Sequence, residues 1–476
     1  MKSFEELQSG LGPTLALNTA GSTGEHVMLV LPSFSMGESL LSHYAARIPA
    51  LEHRYLVVMA VLQRIGSCEM IFIGSEEPAS EVIDYYLALL PETVRDSVRA
   101  RFRTVTVPDR SARSVAAKLL EHPEIVATVR GMVGDRPAYI EPWNVTEHEV
   151  DAAVALQVPI NGSAPALLPL AYKSAGRGLF RAAGVPLPYG HEDVRTVDDV
   201  VAAAEDVHRS RPDCTAVVVK HDDSGAGDGN AVIDLRGDVR AAVEALPDWY
   251  LRDLLAGGVV EERIGGTEFT SPSAQIDVLP DGRVLLLATH EQELGGADAQ
   301  VYMGCRFPAD AAYVTDLGRH AVAVGEQLAR QGAAGRMGID FAAARDSAGT
   351  WRVFALEVNL RKGGTTHPYA VLRNHVPGRY DAGSGRWVAK DGSFRAYRSS
   401  DNVLNPAWLG LPPSTVVKAV GERGLHFDHR TGTGVVLHML SCLAVDGRFG
   451  MTAIGRDPAQ ASELFDATRA AVEASV

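Results

Sequence analysis

The sequence has few cysteines, no excess of basic residues and no long hydrophobic run, and each shortage excludes a class of protein. Its four cysteines lie too far apart for a zinc knuckle or a disulfide framework: Cys68, Cys214, Cys305 and Cys442. Unpaired cysteines are typical of a reducing compartment, so we expect a cytoplasmic protein. Lysine and arginine number 45 against 59 aspartates and glutamates, and a net charge of −14 argues against nucleic-acid binding.

Membrane attachment is not expected either. The most apolar stretch, residues 152–172, contains Gln157 and Asn161 and three prolines, whereas a spanning helix needs about 20 predominantly apolar residues. The first 24 residues carry Glu5 and Glu6 and no apolar core, unlike a secretory signal. With 46% apolar and 22% charged residues, the composition is that of an ordinary globular protein, and 476 residues predict about two to four domains.

The first 162 residues alternate short apolar runs with helical patterns. The apolar runs predict strands at 26–31, 70–73, 102–107 and 138–140. Strands that alternate with helices indicate a parallel sheet covered on both faces. We therefore predict an α/β fold whose N-terminal domain, residues 1–162, is Rossmann-like.

Residues 163–377 are predicted to form a mixed α/β region. An apolar stripe from Leu168 to Ala183 predicts one helix that begins at Ser163 and ends before Gly184. Strands are predicted at 216–220, 231–235, 259–264, 274–278 and 284–287. Residues 378–476 are predicted to complete the fold as a small C-terminal α/β region, with weak periodicity over 378–425.

A glycine-rich loop joins the first two of these strands. It contains Gly225, Gly227 and Gly229, and backbone amides without side chains can wrap phosphate oxygens. The spacing is not G-x-G-x-x-G and the loop leads into a strand, so it is not a dinucleotide fingerprint, and the chain has no P-loop motif. The alternative is a plain flexible hairpin turn.

Two lysines are candidate phosphate ligands. Lys220 ends the apolar strand directly before the glycine loop, and Lys173 lies on the polar side of the predicted helix. The alternative for Lys220 is a solvated strand end. The alternative for Lys173 is an exposed basic helix face that it shares with Arg177 and Arg181.

Three oxygen-bearing side chains are predicted to converge on neighbouring strands. Glu357 and Asn359 share one strand face by the two-residue period, and a hairpin turn would place Asp340 across from residues 355–357. Two carboxylates and an amide oxygen suit Mg²⁺, which commonly binds nucleotide phosphates as well. The alternative is that the carboxylates pair with Arg336 or Arg361 at a sheet edge.

The order of these features resembles the ATP-grasp superfamily of carboxylate–amine ligases over about residues 170–368. The features are Lys173, Lys220 with its glycine loop, the segment 260–269, Asp340, and Glu357-Val-Asn359. The resemblance implies an ATP-grasp fold with an N-terminal pre-ATP-grasp domain, and ATP and Mg²⁺ as cofactors. The run 357–368 and the tail 435–440 are most similar to the pheganomycin-type peptide ligases of natural-product biosynthesis.

The same resemblance implies roles for individual residues. Glu261, Glu262 and Ile264 would line the adenine, and Glu268 would hold the ribose hydroxyls; otherwise Glu261 and Glu262 are exposed charges at a strand end. The two lysines would hold the phosphates, under a movable flap made by the three loop glycines. Asp340, Glu357 and Asn359 would bind the metal.

The function implied is an ATP-dependent ligase that forms an amide through an acyl phosphate and releases ADP. Its partners would be small-molecule carboxylates and amine or peptide substrates, and a homodimer is compatible with the resemblance. Arg361, on the strand face of Asn359, would act with Lys173 and Lys220 on the acyl phosphate; otherwise it is a surface arginine. A small-molecule kinase and a non-catalytic ATP-binding protein stay open as alternatives. No role follows for His290, His367 or Lys362.

Overall fold

The computed structural model describes residues 2–34, 45–224, 229–295 and 301–475. Gly225 and Gly227, two of the predicted phosphate-binding residues, lie outside the described residues. The described strands form three sheets, one in the N-terminal unit, one small, and one large.

The N-terminal sheet is entirely parallel, with strand order β3-β2-β1-β4. Its strands are β1 His26–Leu31, β2 Cys68–Gly74, β3 Phe102–Thr106 and β4 Ala138–Pro142. The α-helices of this unit span Phe4–Gln8, Leu11–Leu17, Ile48–Glu52, Ser80–Ala88, Glu92–Arg101, Val115–Leu120, Pro123–Val133 and Glu147–Leu156, with 3₁₀ turns at Ala45–Arg47 and His53–Gln63. The predicted parallel sheet is confirmed. Strand order reverses between β1 and β4, and the carboxyl ends beside such a reversal are where ligands bind in open α/β sheets.

The small sheet holds the strand before the glycine loop. Its strands are β5 Gly190–His191, β6 Ala216–His221, β7 Asn230–Asp234 and β8 Gly258–Glu262, in the order β5-β8-β6-β7. The helices Val197–Ser210, Val239–Glu244 and Asp248–Leu254 contribute to its hydrophobic core. Because β6 and β7 pair antiparallel, the two strands predicted on either side of the glycine loop are confirmed.

The large sheet has 11 strands among the described residues. They are β9 Glu268–Thr270, β10 Pro272–Val278, β11 Val284–Gly295, β12 Val301–Phe307, β13 Gly335–Arg345, β14 Trp351–Asn359, β15 Gly378–Asp381, β16 Arg386–Ala389, β17 Phe394–Leu404, β18 Gly434–His438 and β19 Arg448–Gly455. The main path runs β14-β13-β10-β11-β12-β17-β16-β15; β9 pairs with β13, and β19 joins β17 to β18. The sheet continues past residue 377, because β17 pairs with β12.

The remaining α-helices flank these sheets. They span Lys173–Ala182, Val314–Arg330, Thr366–His375, Pro413–Glu422, Leu443–Asp446 and Pro458–Glu473, and 3₁₀ turns occupy Pro165–Ala171, Pro406–Trp408 and Leu440–Cys442. Among the described residues, no helix is both long enough and apolar enough to cross a membrane. All four cysteines are free thiols.

The single helix predicted from Ser163 is wrong. A 3₁₀ turn, Pro165–Ala171, is followed by Tyr172 in an extended conformation (φ −63°, ψ 149°), and the α-helix begins only at Lys173. Prolines within the segment remove backbone donors and bias the preceding residues away from the α conformation. The break makes Lys173 the first residue of a helix.

The alternation along β13 separates an apolar face from a polar one. Met337, Ile339 and Phe341 belong to the core that the helix Val314–Arg330 also builds. The residues between them, by the strand period, lie on the opposite face of the sheet. That opposite face carries the candidate site.

Candidate active site

Asp340, Glu357 and Asn359 come together on β13 and β14. Asp340 lies directly opposite Glu357, so the predicted hairpin register is confirmed, and Asn359 lies opposite Gly338. Nδ2 of Asn359 donates to Oδ2 of Asp340 at 2.9 Å. Nε2 of Gln292, on β11, donates to Oδ1 of Asp340 at 2.8 Å. The three predicted oxygen-bearing side chains therefore form one cluster.

The cluster concentrates negative charge. Burial, and then the charge of Glu357, raise the pKa of Asp340 to about 7, although Arg361 opposes the shift. The alternative ion pairs at the sheet edge are not formed: Glu357 pairs with Lys173, and Arg336 pairs with Asp277. Two carboxylates and an amide are hard oxygen ligands, and a divalent cation would relieve the crowding of negative charge. The residues thus fit Mg²⁺.

Lys173 connects this cluster to the glycine loop. Its Nζ lies 2.9 Å from Oε1 of Glu357 and donates to the carbonyl oxygen of Ser224 at 2.9 Å. The start of its helix is held by Asp222, which accepts hydrogen bonds from the backbone of Lys173 at 3.2 Å and of Ser174 at 2.8 Å. Lys173 is buried, so the exposed basic face considered above is wrong for this residue.

Lys220 belongs to a second buried cluster, on the small sheet. Its Nζ lies 2.5 Å from Oε2 of Glu261, and Arg177 donates to Oε1 of the same carboxylate at 2.5 Å. Glu261 is 2% exposed. Burial would raise its pKa, but Lys220 and Arg177 outweigh burial and lower it. The exposed alternatives are wrong for Glu261 and Arg177, whereas Arg181 is half exposed.

The other residues predicted to bind the nucleotide lie on the chain between the end of β8 and β9. Glu262 accepts a hydrogen bond from the backbone of Tyr189 at 2.8 Å, and Ile264 follows in the connection to β9, partly exposed. Glu268, on β9, is exposed and pairs with Arg345 at 2.6 Å. The structure therefore places Glu261, Glu262 and Ile264 beside the small sheet and Glu268 on the large one.

Gly229, at the end of the glycine loop, lies close to Ser224, at the start of the loop. A Cβ atom at Gly229 would come within 2.5 Å of the Cβ of Ser224, so a larger residue would displace the loop. Ser224 is the residue whose carbonyl oxygen binds Lys173. A glycine is therefore required where the loop returns to β7.

Arg361 and Lys362 follow β14 and behave differently. Arg361 is partly buried, and its charge acts on the pKa of Asp340, which places it near the carboxylate cluster. Lys362 is buried, with its Nζ 2.8 Å from Oε1 of Glu141, and its backbone nitrogen donates to the carbonyl of Trp143 at 3.1 Å. Lys362 thus fastens this loop to the carboxyl end of β4.

Sequence reasoning missed two contributors to these clusters. Gln292 lies two residues after His290 on β11, so the strand period could have placed its side chain on the same face as that of His290. Arg177 lies four residues after Lys173, so the two share a helix face. Its burial depends on Glu261, which is distant in sequence, and no local pattern indicates that partner.

His290 and His367 are buried, and their imidazoles bond to residues outside the carboxylate cluster, although His290 lies in the same cross-strand row as Asp340, with Ser273 between them. His290 bonds to the hydroxyl of Tyr397 at 2.5 Å, and burial lowers its pKa to about 3. His367 and His438 both contact Oδ1 of Asp401, at 2.8 and 2.7 Å.

Arg54 binds the other oxygen of Asp401 at 2.7 Å. The charge of Arg54 balances that carboxylate, which opposes a second cation there. Burial lowers the pKa of His367 to about 4. The imidazole of His367 is therefore best described as a neutral group beside the buried ion pair of Arg54 and Asp401.

Acid should destabilise the protein through His290. Its pKa is about 3 in the folded chain against an ordinary 6.5, so only the unfolded chain gains this proton as pH falls below 6.5. Between pH 7.5 and pH 5 we expect this histidine to cost about 2 kcal/mol of unfolding free energy. His290→Gln should lose less stability than the wild type over that range, measured by urea unfolding at both pH values. Equal losses would contradict the assignment.

Solved structures share the fold of this chain. Biotin carboxylase from Campylobacter jejuni matches with a TM-score of 0.58 and 13% identity, over 93% of this chain and 90% of that one. N5-carboxyaminoimidazole synthetase from Staphylococcus aureus, complexed with ADP, matches with a TM-score of 0.52 and 11% identity, over 95% and 98%. The predicted ATP-grasp fold is confirmed.

A curated relative narrows the class. L-propargylglycine–L-glutamate ligase of Streptantibioticus cattleyicolor is 30% identical over 466 residues, which cover 93% of each chain. The chain belongs to the ATP-grasp carboxylate–amine ligases, as its sequence motifs predicted. It is an enzyme that uses ATP to ligate a carboxylate to an amine, with small molecules as substrates, and the kinase and non-catalytic alternatives are not favoured.

Two further matches cover less of the chain. The family described as PGM1 C-terminal domain matches residues 415–468, which include the helices that flank β18 and β19. IQ motif-containing protein H of Danio rerio is 26% identical over 190 residues, which are 36% of this chain and 18% of that protein.

Proposed function

We propose that this enzyme joins an amino acid, through its carboxylate, to the amine of a second amino acid or a peptide. The relative named above acts, by its name, on two amino acids and is similar along nearly the whole chain. In the first step a carboxylate oxygen attacks the γ-phosphorus of ATP, the bond to the β,γ-bridging oxygen breaks, and ADP leaves. In the second step the amine attacks the acyl carbon, loses a proton, and phosphate leaves.

One observation carries the assignment of the phosphate site. The Nζ of Lys173 lies between Glu357 of the large sheet and Ser224 at the start of the glycine loop, 2.9 Å from each. A buried ammonium at that position can contact phosphate oxygens that the loop covers. We assign Lys173 to the phosphates of ATP, with Gly225, Gly227 and Gly229 as the covering loop.

The second buried cluster is assigned to the nucleotide. Lys220 would contact the phosphates from its strand end, and Glu261, Glu262 and Ile264 would line the adenine. The two oxygens of Glu261 already accept hydrogen bonds from Lys220 and Arg177. Because a carboxylate offers about four acceptor positions, Glu261 can also accept a hydrogen bond from the adenine amino group. Glu268 would release Arg345 and accept hydrogen bonds from the ribose hydroxyls instead.

Asp340, Glu357 and Asn359 would hold Mg²⁺. The ion, when bound, would neutralise phosphoryl oxygens of the nucleotide. The charge of Arg361 acts on Asp340 of this cluster, and Arg361 would bind the transferred phosphoryl group as its charge develops. With little covalent work left to the protein, positioning and fixed positive charge supply the rate enhancement.

Mass spectrometry of products tests the proposal. Purified enzyme is incubated with ATP, Mg²⁺ and a mixture of amino acids, and ADP, phosphate and product masses are measured. We expect ADP and a dipeptide in equal amounts, and a hydroxamate of the activated acid when hydroxylamine replaces the amine. A stable phosphorylated acceptor would indicate a kinase instead, and the absence of ADP with every mixture would overturn the proposal.

Location and assembly are part of the proposal as well. Four free cysteines suit a reducing compartment, which supports the cytoplasm. A homodimer is retained as a prediction, and light scattering on the purified chain measures it. A monomer at micromolar concentration would contradict that prediction without affecting the site.

A further inference from the structure

A gap in a row of polar side chains lies beside the proposed metal site. By the strand period, Asp340, Gly338 and Arg336 share one face of β13. Gly338 is the middle member, and a Cβ atom added there would approach only the Cβ of Asn359, at 3.8 Å, so the space above it is open. The row therefore has a carboxylate at one end, a guanidinium at the other and room for a ligand between them.

The neighbouring strand supplies a side wall with an unused acceptor. Gln275 on β10 lies directly opposite Gly338, as Asn359 does on the other side. Nε2 of Gln275 donates to Oγ1 of Thr365 at 2.7 Å, whereas its buried Oε1 has no hydrogen-bond partner within the described part of the chain. An amine located over Gly338 could donate to that oxygen.

The far end of the row offers donors that the protein does not use. Nε of Arg336 is buried without a hydrogen-bond partner among the described residues, and the ion pair with Asp277 is 3.6 Å long, beyond hydrogen-bond distance. The hydroxyl of Tyr55, 2% exposed, is also unpartnered among those residues, and Arg336 and Glu141 act electrostatically upon it. Buried donors without partners are costly, so a ligand that accepts from them would be stabilised.

We propose that the face over Gly338 binds the amine substrate as an amino acid or peptide whose free carboxylate contacts Arg336 and the Tyr55 hydroxyl. This inference rests on the ligase function proposed above. The activated carboxylate must lie at the metal end, beside Asp340 and Arg361. The amine substrate has a carboxylate of its own, which is not activated. The groups that bind ATP do not neutralise that carboxylate.

Dimensions agree with this arrangement. Four residues of strand separate Asp340 from Arg336, which is about 13 Å at 3.3 Å per residue. The path from the phosphorus through the new amide to the carboxylate of the amine substrate is shorter than this row, and the side chains of Asp340 and Arg336, at its two ends, would span the remainder. Oε1 of Gln275, opposite Gly338, would then accept a hydrogen bond from the amine near the middle of the row.

The test compares amine substrates with and without their carboxylate. The twenty common L-amino acids and their α-carboxamides are supplied as amines with ATP and the amino-acid pool. For Arg336→Met, we expect kcat/KM for the free acids to fall about tenfold to a hundredfold, and that for the carboxamides to change little. The KM for ATP should stay within twofold. Arg336→Lys, which keeps the charge, should restore part of the loss.

A second variant tests the gap without altering charge. Gly338→Val should fold normally, because a strand accepts a β-branched residue and the Cβ position is free. It should raise the KM for the amine at least tenfold while ATP still raises the melting temperature as in wild type; Gly338→Ala is the smaller matched change. For Arg336→Met, equal losses on acids and carboxamides would overturn this inference alone, and so would wild-type amine kinetics in both Arg336→Met and Gly338→Val. Absence of any amide from wild-type enzyme would instead overturn the ligase proposal.

Discussion

Glu357→Gln is expected to reduce ligase turnover by about a hundredfold to a thousandfold, because it removes one of the two carboxylates proposed to hold Mg²⁺. Loss of one preorganised electrostatic group at a reacting phosphoryl centre typically has this size. Glutamine keeps the shape and one oxygen, so the strand pairing with Asp340 should persist. ADP release with saturating substrates, measured over a range of Mg²⁺ concentrations, should show a lower maximum rate and a higher Mg²⁺ requirement.

The matched control for this variant is Glu326→Gln. It makes the same chemical change at an exposed position of the helix Val314–Arg330, on the other side of the sheet. Its turnover should equal that of the wild type. If Glu357→Gln also retains full turnover and its ordinary Mg²⁺ requirement, Glu357 is not a metal ligand. Unchanged turnover would leave the fold assignment standing and remove the proposed metal site.

The prediction of the carboxylate cluster succeeded where geometry alone determines the outcome. A strand has a period of two, and a short turn fixes the register of a hairpin to within a bulge, so Asp340 could be placed opposite residues 355–357 from the sequence. The irregularity between Asp340 and Phe341 lies between the turn and this pair, and it moves the partner of Asp340 by one residue, from Leu356 to Glu357. Local rules were sufficient because both partners lie within one hairpin.

Burial by distant partners could not be predicted in the same way. Arg177 is 3% exposed because Glu261, 84 residues later, lies against its helix. The sequence pattern of Lys173, Arg177 and Arg181 on one helix face is the same whether that face contacts solvent or a buried carboxylate. The break at Tyr172 was missed for a related reason, since the apolar stripe continues across the 3₁₀ turn with little change of period.

The C-terminal strands were missed because they lack alternation. β17 is buried at most positions, so its sequence mixes polar and apolar residues without a two-residue pattern. Buried polar groups on it are satisfied by partners from other elements, as when Oγ of Ser399 donates to the carbonyl oxygen of Met451 on β19. Such strands are specified by their neighbours in the sheet, and those neighbours are not visible from one local segment.

Glu261→Gln is expected to lower the unfolding free energy by about 3 to 5 kcal/mol, the usual cost of removing one partner from a buried ion pair. Arg177 and Lys220 both point at this carboxylate, and their side chains are only 3% and 11% exposed. Without the negative charge, Lys220 loses the carboxylate with which it pairs, whereas Arg177 keeps its pair with the partly exposed Glu192. Chemical denaturation without nucleotide measures the change.

Glu262→Gln is the matched control. Glu262 is the next residue on the same strand, but it is partly exposed, and its ion pair with Arg211 is longer, at 3.5 Å. A partly exposed pair of that kind is worth about 1 kcal/mol or less. A second change sharpens the test: Lys220→Met added to Glu261→Gln removes the cation that has lost its carboxylate partner, so part of the lost stability should return. If the double variant is less stable than Glu261→Gln alone, the loss comes from packing or hydrogen bonds and not from uncompensated charge. If Glu261→Gln costs no more than Glu262→Gln, the carboxylate does not hold the two cations in place, and Lys220 needs another support to face the nucleotide.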